Sequence, residues 1–323
     1  MAVGTFISVG RSLDSALKRV RRAEELGYES AYTTHIAGLD SLTVLAGYAG
    51  ETERIRLGTG VLPIYSRTPV ATAQQSATVD ALSAGRLVLG LGVSHKVTVE
   101  NWYGTEIGKP VREMREYVGA LRAMFRGEDP PAGERFGTSF RFMGVEPRPD
   151  LPIYVAALSP AMLRAAGEIA DGTILWLCNS NYVRDVVVPE VTKGRERAGK
   201  PLDGFDIVAA VPSAVTDDPG AARDRLRGEL TTYFTLPFYR AMIERSGFGA
   251  DIERFDAKMA GGDAQAAVAE ISDEFLGVLA AIGDADEARA ALERYREAGT
   301  TSPCVGPIGG TDVDATLEAL APA

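Results

Sequence analysis

The sequence is poor in the residues on which metal sites and disulfide frameworks depend. Its 323 residues include only two histidines and two cysteines. Cys178 and Cys304 lie far apart in separate apolar stretches, which argues against a disulfide framework and favours two reduced thiols in a cytoplasmic protein. Because no cluster of cysteine and histidine is present, the sequence does not predict a metal site.

Basic charge is also scarce. The 34 lysine and arginine residues are outnumbered by 44 aspartate and glutamate residues, which gives a formal net charge of −10. A nucleic-acid-binding protein typically carries a basic stripe, so nucleic acid is not expected as a partner. No stretch reaches the roughly 18 uninterrupted apolar residues of a membrane span, and the N-terminal segment does not have the pattern of a signal peptide. We therefore expect a cytoplasmic protein, not bound to a membrane, that binds a small-molecule substrate.

Several common catalytic motifs are missing. The chain contains no GxSxG nucleophile elbow, no GxxxxGKS/T phosphate loop and no HExxH helix. Carboxylates are scarce near the ends of predicted strands, so the paired acids of a glycosidase are not indicated. These absences argue against hydrolytic chemistry.

The sequence does contain a regular alternation of apolar strand-like segments and helix-like segments. Nearly continuous apolar strands are typical of a parallel sheet covered by helices. Eight strands favour an α/β fold, a (β/α)8 TIM barrel, as a single domain over residues 1–323 with a helical insertion at about 219–298, between strands 7 and 8. The alternative is a six-stranded Rossmann-like sheet with a helical domain. The predicted strands lie within residues 3–10, 29–35, 55–64, 86–94, 152–158, 173–178, 205–215 and 302–310.

In such a barrel the ligand binds where the strands end, at their carboxyl-terminal face. Both histidines fall at predicted strand ends, His35 after strand two and His95 after strand four. Either imidazole has the chemistry to transfer a proton near neutral pH. For His35, a residue that only holds a loop is an equal alternative, whereas for His95 a binding loop without proton transfer is the stronger alternative. Ser159, followed by Pro160, predicts either a phosphate site at a helix N-terminus or a plain helix cap.

Glycines are frequent at the ends of the third and fourth predicted strands. A residue without a side chain lets the backbone approach a bound ring closely. Together with the scarcity of ionisable groups, this pattern favours a flat aromatic cofactor. The glycines concerned are Gly58, Gly60, Gly90 and Gly92.

Four stretches of the chain together resemble the bacterial luciferase-like superfamily, in the branch that uses the deazaflavin coenzyme F420. They run in family order over more than half of the chain: RAEELGYESAYTTH, IRLGTGVLPIYSRTPVATAQQSATVDALSAGRLVLGLGVSHK, VREMREYVGALRAMFRGE and PIYVAALSPAMLRAAGEIADG. The resemblance implies a homodimeric oxidoreductase that exchanges a hydride between C5 of F420 and a small organic substrate. The alternatives are an FMN-dependent monooxygenase and a non-catalytic flavin-binding protein.

The resemblance also implies roles for individual residues. It places a non-prolyl cis peptide or bulge at Gly60–Val61, behind the deazaflavin ring, and makes His35, or secondarily His95, the group that handles the proton. Further cofactor contacts are expected from two segments, which are Ser94, His95 and Lys96, and Ala156, Ala157, Leu158 and Ser159.

Three features of the sequence bear on the substrate and the mechanism. Many relatives carry an aspartate where this chain has Thr34, and several carry a carboxylate in the loop that here contains His95. The mechanisms of sugar-phosphate and alcohol dehydrogenases are therefore not transferred to this chain. Residues of the insertion are expected to cover the substrate side, namely Thr231, Tyr233, Phe234 and Tyr239.

Overall fold

The strands of the structure, a computed structural model that describes residues 2–10 and 12–322, are short and mostly buried. In the longest apolar run of the first half, Leu87–Gly92, every residue is buried, as expected for a strand covered on both faces. The strands are β1 (Gly4–Phe6), β2 (Ser30–Thr33), β3 (Arg56–Thr59), β4 (Leu62–Pro63), β5 (Leu87–Gly92), β6 (Ile153–Ala156), β7 (Gly172–Trp176), β8 (Asp206–Val215), β9 (Ala281–Gly283) and β10 (Ser302–Pro307).

These strands close into a barrel. Neighbours pair in the order β10, β1, β2, β3, β5, β6, β7 and β8, and β8 pairs with β10 to complete the circle. Every pairing is parallel, and helices connect the strands around the outside. The predicted (β/α)8 TIM barrel is therefore confirmed, and the Rossmann-like alternative is wrong.

The third predicted strand differs from the prediction because it is broken. Its two halves, β3 and β4, are separated by a cis peptide bond between Gly60 and Val61, which confirms the geometry implied by the resemblance. Across the break the Thr59 hydroxyl donates to the Gly90 carbonyl (2.7 Å) and accepts from the Gly90 amide (2.9 Å). A side chain thus replaces the backbone ladder at this point and keeps β3 joined to β5.

The helices begin at recognisable caps. Asp40, Thr68 and Ser159, for example, each accept a hydrogen bond from a backbone amide in the first turn. Within the part of the chain described, no helix combines the length and the hydropathy that crossing a membrane requires. The helices are α1 (Leu13–Glu25), α2 (Ser41–Glu51), α3 (Pro69–Leu82), α4 (Pro110–Phe125), α5 (Pro160–Ile169), α6 (Ser180–Tyr182), α7 (Val188–Arg197), α8 (Pro219–Leu230), α9 (Pro237–Ile243), α10 (Gly249–Ala260), α11 (Ala264–Ala269), α12 (Asp273–Leu279), α13 (Ala285–Glu297) and α14 (Val313–Ala319).

The region between β8 and β10 is mainly helical, as predicted, but its last part belongs to the barrel wall. The short strand β9 pairs with the end of β8, and α13 packs on β8, β9 and β10. The inserted helices have a small aromatic core in which the Phe234 ring lies 5.3 Å from Phe255 and 5.8 Å from Phe275. The predicted helical insertion at about 219–298 does not include strand β9. A strand of three residues is too short to produce a periodic pattern in the sequence.

The interior of the barrel is filled by side chains from β1, β2, β5, β6, β7, β8 and β10. An eight-stranded barrel has room for side chains and little else, so large residues on some strands require small ones on others. The interior cluster consists of Phe6, Tyr32, Val88, Tyr154, Ile174, Val208, Ala210 and Cys304.

The strand-end glycines have a different purpose from the predicted approach to a ring. A Cβ at Gly58 would lie 2.4 Å from the Tyr32 ring, and one at Gly60 would lie 2.4 Å from Phe6. A Cβ at Gly90 would lie 2.0 Å from the Thr59 carbonyl oxygen. These glycines make room for the protein's own atoms, which local sequence cannot distinguish from room for a ligand.

We expect Gly90→Ala to destabilise the protein by about 1–3 kcal/mol or more, because the Thr59 carbonyl is backbone and cannot rotate away. Gly228→Ala in α8 is the control, since nothing lies within 4 Å of its Cβ position, and it should stabilise by about 0.5 kcal/mol. Urea unfolding of both variants measures the difference. Equal stability of Gly90→Ala and the wild type would contradict this account of the barrel interior.

Candidate functional site

Four consecutive strand ends bring most of the predicted site residues together. The Gly60 amide donates to the Thr33 carbonyl (2.8 Å), which joins the end of β3 to the end of β2 just before His35. The registers then place Leu62 beside Leu91, and Leu91 beside Val155. We call the residues at these ends the strand-end arc: His35, Gly60, Val61, Ser94, His95, Ala156, Ala157, Leu158 and Ser159.

His35 is fixed by the first turn of α2. The Ser41 amide donates to His35 Nδ1 (3.3 Å), and the Ser41 hydroxyl lies 3.2 Å from the same atom. Because an amide N–H points at Nδ1, that nitrogen is the acceptor, and the proton of the neutral ring is on Nε2. His35 therefore presents a proton donor at Nε2.

A carboxylate does lie near His35, although not at the expected position 34. Asp40 Oδ2 is 3.7 Å from His35 Nδ1 and accepts a hydrogen bond from Arg67 Nη2 at 2.6 Å. The Thr43 amide and hydroxyl also donate to Asp40, at 2.9 and 2.8 Å. Sequence analysis missed this group; the available signal was an aspartate at the N-cap of the helix that follows His35.

The environment keeps His35 neutral. Burial lowers its pKa below 6.5, the Arg67 guanidinium lowers it further, and Asp40 opposes these effects. Burial raises the pKa of Asp40, but the Arg67 and Thr43 hydrogen bonds outweigh this and lower it. The Asp40–Arg67 pair is thus fully charged while the imidazole beside it is uncharged.

At the carboxyl-terminal end of the barrel, which we call the mouth, the backbone adopts unusual conformations at two non-glycine residues. Ser94 follows β5 with a φ of 60°, and Leu177 follows β7 with a φ of 55°. Residues other than glycine, asparagine and aspartate seldom occupy this left-handed region, and such residues concentrate at functional sites. The two bends lie at strand ends, where a barrel places its ligand.

His95 and Lys96, although neighbours in sequence, have different surroundings. The His95 ring packs against Tyr239, with centroids 5.9 Å apart, and burial lowers its pKa. Lys96 is 77% exposed and lies 3.6 Å from Glu100. The structure brings His95 into the mouth and leaves the Lys96 ammonium at the surface.

The turn after β6 contributes an apolar surface more than free polar groups. Ala157 is buried, and the Leu158 carbonyl accepts from the Tyr182 hydroxyl at 2.6 Å. The Ser159 hydroxyl accepts from the Met162 amide at 3.3 Å and so acts as a helix cap. Of the two readings of Ser159-Pro160, the structure favours the plain cap.

Aromatic residues form the opposite side of the mouth. Trp176 lies at the end of β7, and its ring centroid is 6.0 Å from that of Phe6. Its Nε1–H donates a hydrogen bond to the Tyr233 hydroxyl at 3.1 Å. Tyr233 in turn packs edge-on against Tyr239, with centroids 4.7 Å apart. We call Phe6, Trp176, Tyr233 and Tyr239 the aromatic wall.

The structure places only two of the four insertion residues that were expected to cover the substrate side near the strand ends. Tyr233 and Tyr239 reach the mouth, whereas Phe234 is buried in the core of the insertion and the Thr231 hydroxyl donates to the Arg227 carbonyl. Glu229 lies beside Tyr233, and burial raises its pKa against the effect of the Gly309 amide. Sequence analysis missed Glu229 because its helix precedes the aromatic segment and gives no motif.

The structure has two surface clefts whose linings include neither histidine. One of about 420 Å³ borders Arg67, Tyr65 and Arg135, and its lining does not include His35. Another of about 310 Å³ lies between α12 and α13. Among residues 2–10 and 12–322, no group of three or more histidine, cysteine or acidic side chains is arranged to hold a metal ion.

Comparison with known proteins finds similar sequences along nearly the whole chain. A family profile described as luciferase-like monooxygenase matches residues 1–302. A Mycobacterium tuberculosis protein provisionally named as a coenzyme F420-dependent oxidoreductase is 31% identical over 306 residues, covering 87% of each chain. The 5,10-methylenetetrahydromethanopterin reductase of Archaeoglobus fulgidus is 30% identical over 303 residues, covering 90% of this chain and 89% of that protein.

A solved structure gives the same picture of the fold. The coenzyme F420-dependent tetrahydromethanopterin reductase of Methanopyrus kandleri superposes with a TM-score of 0.81. The alignment covers 99% of this chain and 97% of that chain at 24% sequence identity. At this identity the likeness shows a common barrel fold.

We expect the pKa of His35 to respond in opposite directions to its two charged neighbours. Arg67→Gln removes a cation that lowers this pKa and should raise it, whereas Asp40→Asn removes an anion that raises it and should lower it further. The pH titration of the histidine Hε1 signals by NMR measures both shifts. With two histidines in the sequence, His95→Gln assigns the spectrum, and the His95 signal is the internal control. Shifts of the same sign in the two variants would contradict the assigned geometry.

Proposed function

Because the chain belongs to the luciferase-like monooxygenase family of redox enzymes, we propose that it is an F420-dependent oxidoreductase acting on a small organic substrate. The observation that carries the proposal is the hydrogen bond from the Gly60 amide to the Thr33 carbonyl (2.8 Å), which joins the end of β3 to the end of β2 just before His35. The names of the Mycobacterium tuberculosis and Methanopyrus kandleri proteins support F420 as the cofactor.

The strand-end arc fits a flat ring system. A Cβ at Gly92 would lie 2.6 Å from Val61 Cγ2 and 3.5 Å from the Ala156 Cβ, so these two small apolar side chains lie on either side of a backbone without a side chain. Gly60, Val61, Ser94 and Ala156 are the residues that would hold the ring. When bound, F420 supplies or accepts a hydride at C5 of its deazaflavin ring, while the protein provides orientation and electrostatics.

His35 has the protonation state required of a proton donor. Its Nδ1 is occupied by the Ser41 amide, so the ring holds its exchangeable proton on Nε2 and takes part through that atom. Ser41 keeps the ring oriented, and the Asp40–Arg67 pair beside it does not charge it, since burial and Arg67 outweigh the effect of Asp40. His95, packed on Tyr239, is proposed as a contact residue and as the second candidate for the proton.

Direct titration with the two possible cofactors tests the proposal. We expect micromolar binding of F420 and weaker binding of FMN, followed by fluorescence of Trp102 and Trp176. Ala156→Leu should weaken F420 binding at least about tenfold, because the larger leucine side chain would occupy space next to Val61 that we propose for the cofactor ring. Ala290→Leu, on an exposed position of α13, is the matched control and should bind like the wild type.

The other outcomes identify the alternatives. Preference for FMN, with turnover that requires oxygen, would indicate the monooxygenase. Binding of F420 without turnover of any acceptor would indicate a non-catalytic binding protein. Binding of neither cofactor would contradict the proposal.

The role of His35 is tested separately from cofactor binding. We expect His35→Gln to lower turnover by about 10²–10⁴-fold, the usual contribution of a general acid or base, with an unchanged Kd for F420. His95→Gln is the comparison variant, because it removes the other imidazole. If His95→Gln loses turnover and His35→Gln does not, the proton is handled by His95.

A further inference from the structure

We infer that the mouth of the barrel is built for a neutral, flat, largely apolar substrate with a carbonyl oxygen, packed on Trp176 and hydrogen-bonded by Tyr233. This inference rests on the proposed function, because it concerns the substrate of the same site. It depends on three features of the mouth: the open surface of the aromatic wall, the hydroxyl proton of Tyr233, and the charge state of the basic groups near His35 and His95.

The first feature is aromatic surface left open inside the mouth. The other residues of β7 are buried, whereas Trp176 at its end is 37% exposed. The Phe6 ring packs against Trp176, with centroids 6.0 Å apart. On the other side, Tyr233 packs against Tyr239, and Tyr239 packs against His95. Open aromatic surface at the strand ends of a barrel is the kind of surface that a flat apolar ligand covers.

The wall is also held in place before any ligand arrives. The Trp176 Nε1–H donates to the Tyr233 hydroxyl at 3.1 Å, which fixes the indole relative to the insertion. Tyr239 is 6% exposed and packs edge-on against Tyr233, so neither tyrosine ring is free to turn. A surface that is already ordered loses little entropy when a ligand binds to it.

The second feature is the donor of Tyr233. A tyrosine hydroxyl has one proton to donate and also accepts hydrogen bonds. At Tyr233 the oxygen accepts from Trp176, and across the described residues the structure shows no bond in which this hydroxyl donates. Its proton is therefore available to an acceptor in the mouth, and a carbonyl oxygen of a bound molecule is such an acceptor.

The third feature is that the basic groups seen beside His35 and His95 in the described structure do not offer free positive charge to an acidic substrate. The Arg67 guanidinium near the mouth is paired with Asp40 at 2.6 Å, and the exposed Lys96 lies beside Glu100. Burial lowers the pKa of both His35 and His95, so they do not supply positive charge.

Four ligands that share a phenyl ring test the effect of the carbonyl group separately from the effect of charge. Acetophenone carries the carbonyl, ethylbenzene lacks it, benzoate is an anion and 1-phenylethylammonium is a cation. We would measure their Kd values by equilibrium dialysis, first on the protein without added cofactor and then with saturating F420. We expect acetophenone to bind at least about tenfold more tightly than either ion, and about three- to tenfold more tightly than ethylbenzene, the effect of one hydrogen bond.

Two variants assign the effect to residues. Tyr233→Phe should abolish the preference for acetophenone over ethylbenzene, and Trp176→Leu should weaken both neutral ligands. Tyr28→Phe is the matched control, because its buried hydroxyl donates to the Leu317 carbonyl at 2.8 Å, away from the mouth. It should lower stability and leave the order of the four ligands unchanged.

The inference is overturned if either ion binds as well as acetophenone, or if Tyr233→Phe keeps the preference for the carbonyl. The four ligands are compared on the wild type, so the result does not depend on whether a variant folds. Failure of F420 to bind would contradict the proposed function alone, because the first series is measured without cofactor.

Discussion

The limited volume inside an eight-stranded barrel is the constraint on which the rest of the structure depends. Large side chains from β1 and β2, Phe6 and Tyr32, fill much of this volume, so the positions that face them, Gly60 and Gly58, must be glycines. At Gly90 on β5 the backbone approaches the Thr59 carbonyl, and the Thr59 hydroxyl takes over the hydrogen bonds at the break between β3 and β4. The same packing that closes the barrel therefore leaves its mouth lined by backbone on this side.

This arrangement divides the mouth into two unlike halves. The strand-end arc offers small residues, a bent backbone and one imidazole, whereas the aromatic wall offers large rings and a hydroxyl. The difference arises from the elements that supply them: short barrel strands on one side, and β1, β7 and the insertion on the other. A flat cofactor on the arc and an apolar substrate on the wall would face each other across the mouth.

The charged side chains next to His35 form an ion pair of opposite charges. The Asp40–Arg67 ion pair is only partly exposed, yet beside it the His35 ring stays neutral because burial and Arg67 outweigh Asp40. A redox enzyme whose cofactor carries the electrons needs orientation and a proton from the protein more than strong charges.

The sequence by itself determined the features that depend on neighbours along the chain: the eight strands, the caps of the helices and both histidines at strand ends. The resemblance added the cis peptide at Gly60–Val61. Only the tertiary structure decided which distant residues meet. Trp176 lies against Phe6 of β1 and donates to Tyr233 of the insertion, and both of these pairs join residues more than 50 positions apart in the sequence. Periodicity reports burial and local conformation, but the partner of a buried side chain is fixed only when the strands have closed.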